Sequence, residues 1–241
     1  MTIPFAAFDI DGTIIRWQLY HAIGDALAKR GLIDADGFRK VREARMSWKR
    51  RNGDELFRKY ESKLVKVFDE SLAGLEVKVL AEVVEEVFDE YKDQVYTYSR
   101  NLILELKRQG YLLFAISGSP AIIVQKLAEY YGFDDFAATD YPEKDGRLVG
   151  TKDLSLGKKA LLLQKLISKH GTNLDKSIGI GDSEGDIDML ELVEQPVALN
   201  PSKQLFRHAS KKGWKIVLER KNMVYELEPR DGTYILAQTN A

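Results

Sequence analysis

Residues 5–13 read FAAFDIDGT, an apolar run that ends abruptly at two carboxylates one residue apart, Asp9 and Asp11. Continuous apolar runs of this kind are typical of strands that are buried on both faces of a parallel sheet. The two acids then lie where the chain turns out of the sheet. The pattern also fits an acidic turn in which Asp and Gly only satisfy the backbone. Residues farther along the chain therefore decide between a functional site and a simple turn.

Three later apolar runs also stop at polar residues: YLLFAI before Ser117, SIGIG before Asp182 and PVAL before Asn200. Longer stretches with helical spacing of their apolar residues separate these runs. This alternation predicts an α/β fold, a Rossmann-like core with a doubly wound parallel sheet. Because ligands bind outside the carboxyl ends of the strands in such sheets, we expect these polar residues to converge on one site.

Residues 16–95 interrupt the alternation, because they are rich in charge, lack strand-like runs and show helical periodicity. We interpret them as a helical unit inserted after the first strand. The core is then formed by residues 1–15 and 96–213.

Two further segments carry hairpin signals. Within residues 137–151, Asp145-Gly146 predicts a hairpin, which we expect at the edge of the core. Residues 214–241 alternate apolar and polar side chains around Asp231-Gly232, which predicts a strand-like C-terminal extension with a small strand pair.

The composition excludes several classes of function. The 36 basic and 37 acidic residues nearly balance, so no overall field would draw the protein to nucleic acid or to an anionic membrane. Cysteine is absent, which excludes disulfides, thiolate metal sites and a cysteine nucleophile. No apolar stretch approaches the ~18 residues of a membrane-spanning helix. The lack of cysteine also fits a reducing compartment, so we expect a cytoplasmic protein.

Two elements have the features of a phosphate site. Ser117 and Gly118 precede a predicted helix, whose free N–H groups could hold phosphate oxygens together with the Ser117 hydroxyl. A strand-to-helix turn alone would also favour these residue types. Lys159 opens another predicted helix, where most lysines are simply solvated.

A second pair of acids follows the third apolar run. In GDSEGD, residues 181–186, Asp182 and Asp186 lie four positions apart just past a buried strand. Unpaired acids are unfavourable there unless a cation compensates them. Magnesium is the natural candidate, because it prefers hard oxygen ligands and retains waters.

Taken together, Asp-x-Asp-Gly-Thr, a strand-end Ser, a Lys and Gly-Asp-x-x-x-Asp occur in the order that characterises the haloacid dehalogenase (HAD) superfamily. The resemblance covers residues 1–15 and about 95–215. It is closest to subfamily IB, the phosphoserine-phosphatase-like subgroup, which residues 198–214, ALNPSKQLFRHASKKGW, also resemble. In that subgroup the insertion after the first strand is a helical C1 cap.

The resemblance implies a magnesium-dependent phosphatase. Asp9 would be the nucleophile that forms an aspartyl phosphate. Asp11 would protonate the leaving group and later accept a proton from water. Magnesium would be held by the Asp9 carboxylate, the Asp11 main-chain carbonyl and Asp182.

The resemblance also assigns the residues around this centre. Ser117, Gly118 and Lys159 would bind the phosphoryl oxygens. Asp186 would orient Lys159 or a metal-bound water, and Thr13 would hydrogen-bond near Asp11.

Substrate specificity is where the chain departs from the subgroup. Gln18 occupies the position, nine residues after Asp9, at which a glutamate usually receives the substrate ammonium. A neutral amide would compensate that charge less well. Arg45 and Arg58 are the candidates for a substrate carboxylate. The basic stretch of residues 39–51 could bind a second anionic group or nucleic acid, although it also fits a solvated helix face.

We therefore expect an enzyme that hydrolyses a small phosphate monoester, with a phosphorylated metabolite as its partner. A phosphotransferase or mutase that uses the same intermediate is the first alternative. A non-catalytic regulatory or binding protein on the same scaffold is the second, and it predicts salt-dependent binding without turnover.

Overall fold

The computed structural model describes residues 2–50, 56–150, 157–221 and 223–240, except the side chains of Phe57, Arg58 and Asn240. Ten strands are described: β1 (Phe5–Phe8), β2 (Leu112–Pro120), β3 (Asp135–Thr139), β4 (Glu143–Lys144), β5 (Arg147–Leu148), β6 (Ile178–Gly181), β7 (Gln195–Leu199), β8 (Lys215–Arg220), β9 (Met223–Arg230) and β10 (Thr233–Asn240). The helices in the same part of the chain are α1 (Leu19–Lys29), α2 (Ala35–Lys49), α3 (Leu56–Leu72), α4 (Val77–Tyr91), α5 (Thr97–Arg108), α6 (Ala121–Tyr131), α7 (Lys159–His170), α8 (Ile187–Leu190) and α9 (Lys203–Lys212).

An eight-stranded sheet organises the core, in the order β10-β9-β8-β7-β6-β1-β2-β3. The strands from β3 to β8 in this order run parallel, whereas β9 and β10 are antiparallel additions. The chain winds from β1 to β2 and β3 on one side, then returns to β6 and β7 on the other. The α/β prediction is confirmed, and the winding reverses direction beside β1, where such sheets bind ligands.

Burial explains why β1 forms the centre of the sheet. All four of its side chains, from Phe5 to Phe8, are fully buried, and Phe5 stacks on Phe114 of β2. Its register pairs Phe5 with Leu112 on one side and Ala6 with Ile178 on the other. A strand buried on both faces needs continuous apolar sequence, which FAAF supplies.

The described residues cluster into two compact units. The first comprises residues 2–17, Tyr91–Thr139 and residues 157–240, and it contains the sheet. The second comprises residues 18–90 and 140–150, and it contains α1 to α4 with the short β4–β5 hairpin. No helix in the described ranges is long and apolar enough to cross a membrane.

The β4–β5 hairpin does not decorate the core edge as its sequence led us to expect. Its turn is where predicted, because Asp145 and Gly146 both have positive φ. Backbone hydrogen bonds from Gly74 to Leu148, and from Leu148 back to Leu75, instead join it to the second unit. The Asp-Gly pair predicts the turn of the hairpin, but it does not predict with which segment the hairpin strands form further hydrogen bonds.

The C-terminal extension is more than a separate strand pair. β8 pairs parallel with β7, and β9 and β10 then continue the same sheet as antiparallel strands. Asp231 and Gly232 make the tight turn between β9 and β10 with positive φ, as their sequence predicts. The alternating pattern revealed the strands, but a local pattern does not identify the partner strand.

His21 gives the second unit a sensitivity to acid. This side chain is buried, and its ring lies 4.6 Å from the ring of Tyr60 between centroids. Burial, with a contribution from the charge of Arg45, lowers the pKa of His21 to about 3. Below the ordinary histidine pKa of ~6.5, the unfolded chain therefore binds a proton that the folded chain excludes.

We expect the free energy of unfolding to fall by roughly 2 kcal/mol between about pH 7 and about pH 5 because of His21 alone. His21→Phe keeps a ring but cannot be protonated, so it should lose less stability than the wild type over this interval. Urea unfolding at both pH values measures the difference, and His208→Phe, at a partly exposed position, is the matched control. Equal acid losses in the wild type and His21→Phe would contradict the prediction.

Candidate active site

Asp9 lies at the carboxyl end of the central strand, directly after β1, and is buried. Its backbone N–H donates to the carbonyl of Ile180 at 3.0 Å, which continues the pairing of β1 with β6 beyond the strand. The carboxylate accepts a hydrogen bond on each oxygen, from Lys159 Nζ at 2.6 Å and from Thr13 Oγ1 at 2.8 Å. These two donors fix the orientation of the carboxylate. Thr13 therefore bonds to Asp9, whereas we expected it near Asp11.

Asp11 is held by the neighbouring strand. Its carboxylate accepts a hydrogen bond from the Ser117 hydroxyl at 2.7 Å, and Ser117 is fully buried near the carboxyl end of β2. The same hydroxyl oxygen accepts from the N–H of Ser119 at 2.9 Å. Gly118 is fixed through its carbonyl, which accepts from Thr139 Oγ1 at 2.6 Å. Adjacent strand ends thus place Asp9, Asp11 and Ser117 in one region.

Lys159, the first residue of α7, joins two acids in the interior. Its ammonium donates to Asp9 at 2.6 Å and to Asp186 at 2.5 Å, and all three side chains are almost completely buried. Burial acts to lower the pKa of Lys159, but Asp186 and Asp9 outweigh it and raise the pKa above its ordinary value. The lysine therefore stays charged.

Asp186 organises the loop after β6. While one of its oxygens accepts from Lys159, the other accepts from the N–H of Asp182 at 3.1 Å and from the N–H and hydroxyl of Ser183 at 2.9 and 3.1 Å. Both oxygens thus have protein donors. This bonding agrees with the predicted role of Asp186 as a residue that orients Lys159.

Two glycines let the acids approach so closely. A Cβ on Gly12 would lie 2.2 Å from a carboxylate oxygen of Asp182, and Gly12 has φ of +86°, which disfavours any other residue. A Cβ on Gly181 would lie 2.5 Å from the Cβ of Asp186. Both glycines precede or follow a site acid in the sequence, and that position is the signal by which their role could have been recognised.

Asp9, Asp182 and Asp186 each offer an oxygen within a group whose members all lie within 4.8 Å of one another. Burial raises the pKa of Asp9 to about 7, and the charges of Asp186 and Asp11 add to this effect against the opposing effect of Lys159. Burial, followed by the charges of Asp9 and Asp186, also raises the pKa of Asp182 well above its ordinary value. Negative charge is therefore in excess around one lysine. Hard oxygen ligands with excess negative charge fit a divalent cation such as Mg²⁺.

The hydrogen bonds bring together most of the predicted site residues: Asp9, Asp11, Thr13, Ser117, Lys159, Asp182 and Asp186. The Asp11 side chain does not belong to the group formed by Asp9, Asp182 and Asp186. Ligation of magnesium by the Asp11 main-chain carbonyl stays a prediction. Sequence reasoning missed Ser99, whose buried hydroxyl donates to the carbonyl of Thr13 at 2.6 Å. A lone serine in a helix gives no signal of such a contact.

The predicted specificity residues belong to the second unit. Gln18 precedes α1 as its N-cap residue. Arg45 pairs with Asp25 at 3.1 Å, and its side chain is 18% exposed. The Arg58 side chain lies outside the described residues. The assignment of these three residues to the substrate stays a prediction.

The protein is a doubly wound α/β protein with a cluster of acids beside β1, at the topological switch point of its sheet. A family model described as haloacid dehalogenase-like hydrolase matches residues 6–191. The chain belongs to this family of hydrolases. The resemblance identified from the spacing of the acids, the serine and the lysine is thereby confirmed.

Individual relatives agree with this assignment. A histidinol-phosphatase of Neisseria meningitidis is 28% identical over 226 residues, which cover 88% of this chain and 97% of the relative. A phosphoserine phosphatase of Streptomyces coelicolor is 33% identical over 142 residues, 58% of this chain and 33% of that protein.

Solved structures share the fold. A protein of unknown function from Bordetella pertussis has a TM-score of 0.72 at 22% identity and covers 90% of this chain and 98% of its own. A structure described as a phospho-aspartyl intermediate analogue of phosphoserine phosphatase has a TM-score of 0.62 at 23% identity and covers 92% and 96%.

Magnesium should raise the melting temperature of the protein, and the increase should grow as the pH rises through about 7. The reason is that an ion bound by ionised carboxylates must displace the proton that Asp9 holds below its raised pKa. Asp182→Asn should abolish most of the increase. Thermal unfolding with Mg²⁺ or EDTA measures the effect.

Asp188→Asn, the same change at an exposed acid two residues from Asp186, is the matched control and should keep the wild-type response. If magnesium stabilised Asp182→Asn and Asp188→Asn equally, the acids around Asp9 would not form the metal site.

Proposed function

We propose that this hydrolase is a magnesium-dependent phosphatase that cleaves a small phosphate monoester through an aspartyl phosphate on Asp9. The observation that carries the proposal is the fixed orientation of the Asp9 carboxylate, held by Lys159 and Thr13 beside a second acid, Asp11, at the switch point of the sheet. A nucleophile and an acid on one short loop supply the two groups that phosphoryl transfer by this route needs.

In the first step, a carboxylate oxygen of Asp9 attacks phosphorus and the bond from phosphorus to the ester oxygen breaks. Asp11 gives its proton to the departing oxygen, which leaves as an alcohol. In the second step, a water oxygen attacks the phosphorus of the aspartyl phosphate while Asp11 takes a proton from that water. Phosphate leaves, and both carboxylates return to their starting forms.

The other residues of the site balance charge and position the phosphoryl group. Lys159 stays positively charged and would bind a phosphoryl oxygen, together with the Ser117 hydroxyl and the backbone at Gly118. Asp186 keeps Lys159 in place through their short ion pair. Asp9, Asp182 and the main-chain carbonyl of Asp11 would hold the magnesium ion. Bound magnesium supplies positive charge that offsets the repulsion between these acids and a phosphate dianion.

We assign selection of the leaving group to the helical cap, residues 16–95, and thus to Gln18, Arg45 and Arg58. Phosphoserine and histidinol phosphate, the compounds in the names of two relatives, are both primary phosphate esters with an ammonium group on the neighbouring carbon. A soluble amino-alcohol phosphate is therefore the substrate class that we propose.

We expect Asp9→Asn to lower kcat by at least about 1,000-fold, because an amide cannot act as the nucleophile. Phosphate release from p-nitrophenyl phosphate, phosphoserine and histidinol phosphate, each with Mg²⁺ or EDTA, measures the effect and ranks the substrates. Asp188→Asn serves as the matched control and should retain wild-type turnover.

Added alcohols separate the hydrolase from a phosphotransferase. If the aspartyl phosphate passes mainly to water, alcohols will not yield new phosphate esters while free phosphate accumulates. Folded wild-type protein that binds magnesium but turns over none of the esters would overturn the proposed function.

A further inference from the structure

Glu219 of β8 has an environment that the proposed reaction does not explain. Its side chain is completely buried, although its neighbours Leu218 and Arg220 on the same strand are exposed. Burial of a carboxylate is costly unless charged or hydrogen-bonding partners compensate it. Such a residue on a strand near the periphery of a sheet indicates a specific role.

The partners of Glu219 come from two distant segments. Its two oxygens accept hydrogen bonds from the backbone N–H groups of Thr97 at 3.0 Å and Tyr98 at 2.8 Å, in the first turn of α5. The residue before this helix, Tyr96, makes no capping bond with its own side chain. Glu219 therefore caps α5 from another strand, at the helix end that favours negative charge.

The other partner of Glu219 is Arg16, which forms a close ion pair with it. Arg16 also donates from Nε to the carbonyl of Val95 at 2.7 Å and from Nη2 to the carbonyl of Lys221 at 3.3 Å. Its backbone N–H donates to the carbonyl of Gln94 at 2.8 Å. Glu219 and Arg16 thus join three segments: the residues after the β1 loop (residues 9–15), those before α5, and β8.

Two hydrogen bonds, joined through the backbone to the capped residues, lead from this cluster to Asp9. Directly after the two capped residues, Ser99 donates from its hydroxyl to the carbonyl of Thr13 at 2.6 Å. Thr13 in turn donates from its own hydroxyl to Asp9 at 2.8 Å. The helix end that Glu219 caps therefore supports the threonine that orients Asp9.

A second connection leads to Asp182. The backbone N–H of Glu219 donates to the side-chain oxygen of Asn200 at 2.8 Å. Two residues later, the N–H of Ser202 donates to the carbonyl of Asp182 at 2.7 Å. Glu219 therefore bonds to Tyr98, the residue before Ser99, and to Asn200, two residues before Ser202.

We infer that Glu219 is a positioning residue for the β1 loop: by capping α5 and pairing with Arg16, it holds Ser99 and Thr13 where they orient the Asp9 carboxylate. The inference deepens the proposed function and rests on it where turnover is the readout. It gives the C-terminal extension a role in the reaction that acts through the residues that position Asp9 and not through direct contact of Glu219 with Asp9.

Glu219→Gln tests this role with almost no change in volume. Its amide NH₂ would face the N–H groups of α5 or the guanidinium of Arg16, all of which are donors. At a temperature at which Glu219→Gln is fully folded, we expect its kcat to be about tenfold lower than that of the wild type and its KM to be nearly unchanged. The reason is that the Asp9 carboxylate loses its fixed orientation in this variant, whereas the groups that bind phosphate keep theirs. Arg220→Gln, at the next residue of the strand, should keep the wild-type kcat.

Arg16→Gln and the double variant complete a cycle. If the two residues act as one unit, Glu219→Gln with Arg16→Gln should lower kcat little more than either change alone. A purely structural role predicts instead a lower melting temperature and an unchanged kcat for the folded variants. That result would overturn the inference.

Backbone amide hydrogen exchange supplies a readout that needs no turnover. In Glu219→Gln, faster exchange should appear at Thr97 and Tyr98 and extend to the β1 loop, whereas Arg220→Gln should match the wild type. Faster exchange confined to α5 would contradict the inference. If the wild type hydrolyses no ester, the proposed function fails and the exchange pattern alone decides the inference.

Discussion

The buried ammonium of Lys159 lies between Asp9 and Asp186, and the remaining parts of the site are arranged around this contact. Charges removed from water are costly, and loss of one partner from such a group typically costs about 3–5 kcal/mol, because the other charge is left uncompensated. The lysine fixes the first residue of α7 next to the central strand. It also fixes Asp186, whose second oxygen shapes the loop that carries Asp182. Asp9, Lys159 and Asp186 are thus already held in position before a substrate binds.

Backbone geometry determines how closely these charges can approach. Gly12 and Gly181 leave room for carboxylates at positions where any side chain would collide with them. The crowding raises the pKa of Asp9 and Asp182, since burial and neighbouring acids disfavour their charged forms. These acids therefore repel one another, and the magnesium ion that we propose would reduce this repulsion. Placing buried acids so close together lowers the free energy of unfolding, and such arrangements are common at active sites.

The sequence predicted those features that depend on local pattern and on general rules of sheet topology. Strand-end acids could be assigned to one site because the carboxyl ends of parallel strands meet at one edge. The positions of the two hairpin turns followed from Asp-Gly pairs. The segments with which these hairpins pair could not be predicted from the sequence, because every unpaired strand edge presents the same backbone N–H and C=O groups. Likewise, the sequence around Arg16 and Glu219 does not predict that these two residues form an ion pair. It also does not predict whether the Thr13 hydroxyl donates to Asp9 or to Asp11.

The separation of Arg16 and Glu219 has a consequence for how the protein acquires its structure. These residues are 203 positions apart, whereas Thr13 and Asp9 are four apart. Closing a long loop costs more entropy than closing a short one, and contacts of large separation slow folding. The short contacts around Asp9 can form as soon as β1 is placed. The contact between Arg16 and Glu219 needs β8 in place, so we expect this support of the site to form later than the bond between Thr13 and Asp9.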